Sequence, residues 1–132
     1  MGDIIIKIPV RSTKKTKPGL LRLYFDTGSP RTFLKETIAS KMKVLQNFVE
    51  PIYFHGLGNG AFFAIGSANV WIRMKGVWVP HLCFVVPDAI LDPNYDILIG
   101  HDFMQIYDIR VIPRKRRISI DKNALLMALK VR

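Results

Sequence analysis

Hydrophobic and polar positions alternate along much of this chain with the period of a β-strand. Leu21, Leu23 and Phe25 alternate with Arg22 and Tyr24, which predicts a strand over residues 20–25 with one face turned to a core. Strands are also expected over "DIIIKIPV" (3–10), "PIYF" (51–54), "AFFAIGSANVWIRM" (61–74), "VWVPHLCFVV" (77–86), "YDILIG" (95–100) and the pair "IRVIP" and "ISI" (109–120). Helical spacing is confined to three stretches. In "SPRTFLKETIASKM" (29–42), Ser29 is placed to cap a helix and Pro30 to occupy its first position. "HDFMQIYD" (101–108) predicts one or two turns, and "KNALLMALK" (122–130) a terminal helix. The chain therefore reads as mostly β, without internal repeats or low-complexity linkers.

A length of 132 residues allows one domain with a sizeable core but not two full lobes, so residues 1–132 are taken as a single domain. Although 49% of residues are hydrophobic, no apolar run approaches the ~18–20 residues of a membrane-spanning helix, so no membrane partner is expected. The start of the chain lacks a signal-peptide layout, and Cys83 is the only cysteine, which excludes an intrachain disulfide. A reducing, cytoplasmic setting is the expectation. Twenty basic against ten acidic residues give a formal charge of +10, concentrated at Lys14, Lys15 and Lys17 and at Arg114–Arg117. Both clusters read first as solvated hairpin tips, and any nucleic-acid contact they make is expected to be non-specific.

Three features carry candidate chemistry. Asp26-Thr27-Gly28-Ser29 follows an apolar strand, so a carboxylate is held at the rim of a tight turn on a rigid scaffold. A subtilisin-type site also carries such a triplet, but the nucleophilic-serine motif is missing and the chain is too short for that fold. Gly56, Gly58 and Gly60 recur in "FHGLGNGAFF" (54–63) between strand-like runs. No Lys-Ser/Thr follows them, which argues against a phosphate cradle and for a pliable hairpin tip able to cover a ligand. The third feature, "YDILIGHDFM" (95–104), is an apolar strand, a glycine and a short helix.

In this order and spacing the three features resemble the retropepsin family, the aspartic proteases of retroviruses and retrotransposons and their cellular and prokaryotic relatives, over roughly residues 20–120. The resemblance implies a single-lobed closed β-fold with a glycine-rich flap, acting as a homodimer in which each chain supplies one catalytic aspartate. Asp26 would then be catalytic. Thr27, Gly28 and Ser29 would complete the active-site loop, with Thr27 bonding across the dimer and Ser29 donating to the outer carboxylate oxygen of Asp26. Gly56, Leu57 and Gly58 would meet substrate from the flap, while Ile97, Leu98, Ile99 and Gly100 would line or support the channel. The implied function is peptide-bond hydrolysis by an Asp-activated water on a protein or peptide substrate, with no cofactor and no metal.

Two residues depart from the viral pattern. Pro30 has no backbone N–H to offer substrate, and His101 replaces an arginine that braces the viral dimer. Residues 121–132 extend beyond the family's usual end. A second reading is a catalytically weak retropepsin-fold module for dimerisation or peptide binding; a third, a basic nucleic-acid-binding barrel, rests on charge alone. His55, His81 and His101 lie on separate segments and read as surface or loop residues rather than metal ligands. Asp96, Asp102 and Asp108 are expected to cap local structure, and Trp71 and Trp78 to pack in the core or across a hairpin.

Overall fold

The computed structural model describes residues 4–13, 16–56 and 60–130. Nine strands carry the fold: β1 (Ile4–Arg11), β2 (Gly19–Phe25), β3 (Phe33–Lys35), β4 (Gln46–His55), β5 (Ala61–Met74), β6 (Val77–Val86), β7 (Ile97–Ile99), β8 (Ile109–Ile112) and β9 (Arg117–Ile120). The α-helices are α1 (Glu36–Lys41), α2 (His101–Ile106) and α3 (Lys122–Lys130). Hydrogen bonds run in the order β1-β2-β7-β3-β6-β5, and β5 returns to β1 through Val10–Ile72 and Arg11–Trp71. Six strands thus close into a barrel. β4 is added to the free edge of β5, and β8 and β9 form a separate hairpin.

The barrel is filled by the inward parity of its strands. Val79, Cys83 and Val85 of β6 face Val70, Ile72 and Ala68 of β5, together with Leu23 and Phe25 of β2 and Ile97 and Ile99 of β7. A smaller apolar cluster of Phe33, Phe62, Ala64, Val86, Leu91, Tyr95 and Leu98 lies beside it. α3 is anchored by Leu125, which is fully buried in the main core. Burial pushes the Cys83 thiol well above its usual range, with the charge of Asp102 adding to the effect, so this cysteine offers no nucleophile.

The strand segments expected from the sequence all appear, and residues 61–74 and 77–86 pair as the β5–β6 hairpin turning at Gly76. One segment differs. Residues 29–42 do not form a continuous helix: Phe33–Lys35 is a short strand between β7 and β6, and α1 begins only at Glu36. Phe33 and Leu34 gain ladder bonds and burial on both faces there, which outweighs the weak local preference for helix. The cap for α1 also comes from far away, since Asp88 accepts hydrogen bonds from Thr37 N (3.1 Å) and Thr37 Oγ1 (2.6 Å).

Trp78 packs across the β5–β6 hairpin rather than in the core, with the Arg73 guanidinium carbon 5.8 Å from its ring centroid. The Arg11 guanidinium carbon sits 3.8 Å from its ring centroid, a cation–π stack at the open end of β1, and Trp78 pairs in register with Arg73, not with Trp71. No helix among the described residues is long and apolar enough to cross a membrane, and no group of three or more potential metal-ligating side chains occurs among them.

Candidate active site

The order of the strands determines where Asp26 goes. β7 lies between β2 and β3, parallel to the first (Leu23–Ile97, Tyr24–Leu98, Phe25–Ile99) and antiparallel to the second. The end of β2 is thereby set beside the end of β7, and Asp26 N donates to Ile99 O at 2.9 Å. The chain then turns, with Ser29 N donating to Asp26 O at 3.1 Å. Gly28 N donates to Asp26 Oδ1 at 2.9 Å, so the peptide N–H orients the half-buried carboxylate.

The loop from Asp26 to Thr32 rests on the start of α2. His101 N donates to Ser29 O (2.7 Å) and Asp102 N to Pro30 O (3.3 Å), while Gly100 N donates to Thr32 Oγ1 (3.1 Å). Gly100 permits this close approach because any Cβ on it would collide with the Arg31 carbonyl. Beneath the loop, Asp102 Oδ1 accepts from Thr32 Oγ1 (2.7 Å) and Phe103 N (2.8 Å), while Asp102 Oδ2 accepts from Thr32 N (3.2 Å) and lies 3.2 Å from His81 Nε2. The His81 ring also packs edge-on against Phe103. His81 is therefore a buried partner of Asp102, not a surface histidine, whereas His55 and His101 are exposed as expected. The roles of Asp96 and Asp102 likewise exceed capping. Asp96 accepts from Arg22 N (2.7 Å), Nε (3.3 Å) and Nη2 (3.0 Å), joining β2 to the chain entering β7.

Burial works to raise the pKa of both carboxyls and is overcome in each case. Hydrogen bonds from His81 and Thr32, the His81 charge and the Phe103 N–H hold Asp102 below its usual range; the side-chain and backbone bonds of Arg22, then the charges of Arg22 and Lys35, do so for Asp96. A carboxyl with a lowered native pKa favours the fold fully above its unfolded value of about 3.9 and loses that contribution as pH falls through the native value. The urea midpoint is therefore expected to hold from neutrality to about pH 5 and to fall steeply at lower pH. Asp96→Asn should flatten that acid fall, and an equally steep fall in the variant would show that the pair is not its source.

Asp26 lies between two hollows. One, about 300 Å³, is lined by Asp26, Gly28, Ser29, Pro30, Phe33, Phe54, His55, Gly56 and Phe62, and Asp26 is its only acid among the described residues. The other, about 470 Å³, is lined by Tyr24, Ile90, Leu91, Tyr95 and Leu98 and by two acids, Asp26 and Asp92. Gly56 and Leu98 thus line these spaces, while Ile97 and Ile99 face the barrel core and support the loop from behind. Thr27 is exposed. The arms of the β4–β5 hairpin, paired up to His55–Ala61, bring Gly56 over the Asp26 side, and Leu57 and Gly58 lie outside the described residues.

Ser29 corrects the expectation drawn from the resemblance. Its hydroxyl is buried and donates to Arg31 O at 2.8 Å, so its single proton braces the loop and does not reach Asp26. Ser29→Ala is accordingly expected to leave the acid limb of any rate profile in place while lowering stability by about 1 kcal/mol. A clear upward movement of that limb would restore the direct bond.

No protein-family model and no curated protein matches the chain. Among solved structures, the retroviral protease-like domain of Ddi1 from Leishmania major superposes with a TM-score of 0.61 at 15% identity, covering 89% of each chain. EIAV protease, solved in complex with the inhibitor HBY-793, gives a TM-score of 0.59 at 18% identity, covering 82% of this chain and 90% of that one. The fold is retropepsin-like.

Proposed function

We propose that this retropepsin-like chain is an aspartic endopeptidase that hydrolyses peptide bonds at a site shared by two copies. The observation that carries the reading is the placement of Asp26: a carboxylate oriented by the Gly28 N–H, on a loop pinned from below, between two hollows wide enough for substrate side chains. Hydrolysis of an amide without metal requires one group to accept a proton from water and another to give one to the carbonyl oxygen. One carboxyl cannot do both at once. Two carboxyls brought within a few ångströms share a proton and fill both roles, an effect for which aspartic proteases are the general example.

A single lobe with a single such loop supplies its second carboxyl most simply by two-fold symmetry, which places Asp26 and its mate on the axis. Exposed Thr27, beside Asp26, is then available to bond across that axis. Gly56 and the paired ends of the β4–β5 hairpin act as the cover, and Phe33, Phe54 and Phe62, whose rings meet at 5.2–5.5 Å, form an apolar wall suited to an aromatic or aliphatic side chain next to the scissile bond. Pro30 borders the same hollow without an N–H, so backbone recognition must come from elsewhere on the loop or cover.

Sedimentation across a dilution series, read alongside cleavage of a peptide library, tests the shared site. Activity is expected to fall with the dimer fraction, because the 15.1 kDa monomer holds half of the acid–base pair. Full activity in a solution that sediments as monomer would overturn the reading.

A further inference from the structure

A third hollow, about 350 Å³, opens at the end of β2 remote from Asp26. Three pieces of chain meet there: Val10, Arg11 and Ser12 at the end of β1, Thr16, Lys17, Gly19 and Leu21 entering and within β2, and Lys41, Met42 and Lys43 leaving α1. Arg11, Lys17, Lys41 and Lys43 bring four positive charges to one concave surface. Among the described residues no carboxylate lines it and none of these four takes part in an ion pair. Like charges gathered around a hollow repel one another and raise the local concentration of anions.

Two further details point to a ligand. Arg11 Nε is buried without a hydrogen-bond partner, while its guanidinium is held in place by the Trp78 ring. A buried donor left unsatisfied is costly, and the residue that carries it lines the hollow. Lys43, just past the end of α1, has a left-handed backbone (φ 59°), a position at which glycine is the cheapest residue. The chain instead keeps a cation there.

From this geometry we propose that the hollow binds a phosphate monoester, with the phosphoryl group held by Arg11, Lys17, Lys41 and Lys43 and the carbon portion set against Val10, Leu21 and Met42. The volume lies at the lower end of small-ligand sites, and the apolar lining beside the charges suits an ester better than a bare ion. A nucleic-acid strand would need a longer track and free aromatic faces, but Arg11 already covers the nearby Trp78 ring. A soluble ester and a phosphorylated side chain share this chemistry. The site is separate from Asp26 and does not depend on the hydrolytic reading.

Amide NMR titrations with glycerol 2-phosphate and with a phosphoserine peptide, each matched to its unphosphorylated form, test the assignment. Saturable shifts confined to residues 10–12, 16–21 and 41–43 are expected with the phosphorylated probes alone. Binding of glycerol 2-phosphate at least as tight as that of the peptide identifies a small-ester site, and tighter peptide binding identifies a phosphoprotein as the source. Lys43→Gly, which relieves the left-handed backbone and so keeps the fold, should weaken either probe about three- to tenfold. Lys17→Glu with Lys41→Glu should abolish binding, and Asp26→Asn should leave it unchanged. Absence of saturable shifts at millimolar ester, or equal affinity in Lys43→Gly, would overturn the proposal. So would tighter binding of a thymidine oligonucleotide with a steep salt dependence, which would make the surface a nucleic-acid face.

Discussion

Asp26→Asn is expected to lower peptide hydrolysis by about 10³-fold or more while leaving the protein folded and its oligomeric state unchanged. Asn keeps the size and planarity of the side chain, and its oxygen can still accept the Gly28 N–H that now meets Asp26 Oδ1. The amide can neither take a proton from water nor return one to a carbonyl at neutral pH. The loop itself is held by backbone bonds from Ile99, His101 and Asp102, none of which uses the Asp26 side chain. Under the proposed shared site, mixing parent and variant chains should give heterodimers with little activity, since such a site needs both carboxyls. Turnover at the parental rate in a homogeneous Asn variant would remove Asp26 from the mechanism and favour a peptide-binding module on the same fold.

Gly100→Ala is expected to lower stability by about 3 kcal/mol and, for a domain of this size, the melting temperature by about 10 °C. The added methyl would overlap the Arg31 carbonyl and lie 2.9 Å from Arg31 N, so backbone must move, not merely a flexible side-chain end. Arg31 O also accepts the Ser29 hydroxyl, and the next residue, Thr32, links Gly100 N to Asp102. Displacing Arg31 therefore disturbs the whole underside of the loop, and the surviving folded protein should also have lost much of its activity. Gly19→Ala is the control, because nothing lies within 4 Å of its Cβ position. Matching melting curves for the two variants would show that the loop can shift without cost.

Where the fold was legible in the sequence, the reason is local. β5 and β6 are long runs rich in apolar, β-branched and aromatic residues separated by a glycine turn, so both strands were marked by neighbouring residues. β3 was not legible because three residues cannot display a period. Its strand state comes from Leu98, Ile97 and the β6 residues Phe84, Val85 and Val86, all far along the chain. The loop carboxylate at Asp26 was visible from strand-end chemistry, but the direction of the Ser29 hydroxyl was not, because it depends on where Arg31 turns. His81 could have been found. It shares parity with the buried Val79, Cys83 and Val85, and a histidine on that face must find a polar partner. Which partner it finds, Asp102, is information that only the barrel supplies.

The insertion of β7 between β2 and β3 also constrains the order of events in time. Neither neighbour can complete its ladder until residues 97–99 arrive, so the loop bearing Asp26 cannot be fixed by anything synthesised before them. Closing so long a stretch of chain is entropically slow, and it is the step that sets Asp26 N against Ile99 O and the start of α2 under the loop. During synthesis the emerging chain therefore carries its carboxylate in an unassembled state until most of the domain has left the ribosome. Under the proposed mechanism the nascent chain is silent on two counts: the strand that fixes the loop has not yet arrived, and the second carboxyl belongs to another copy.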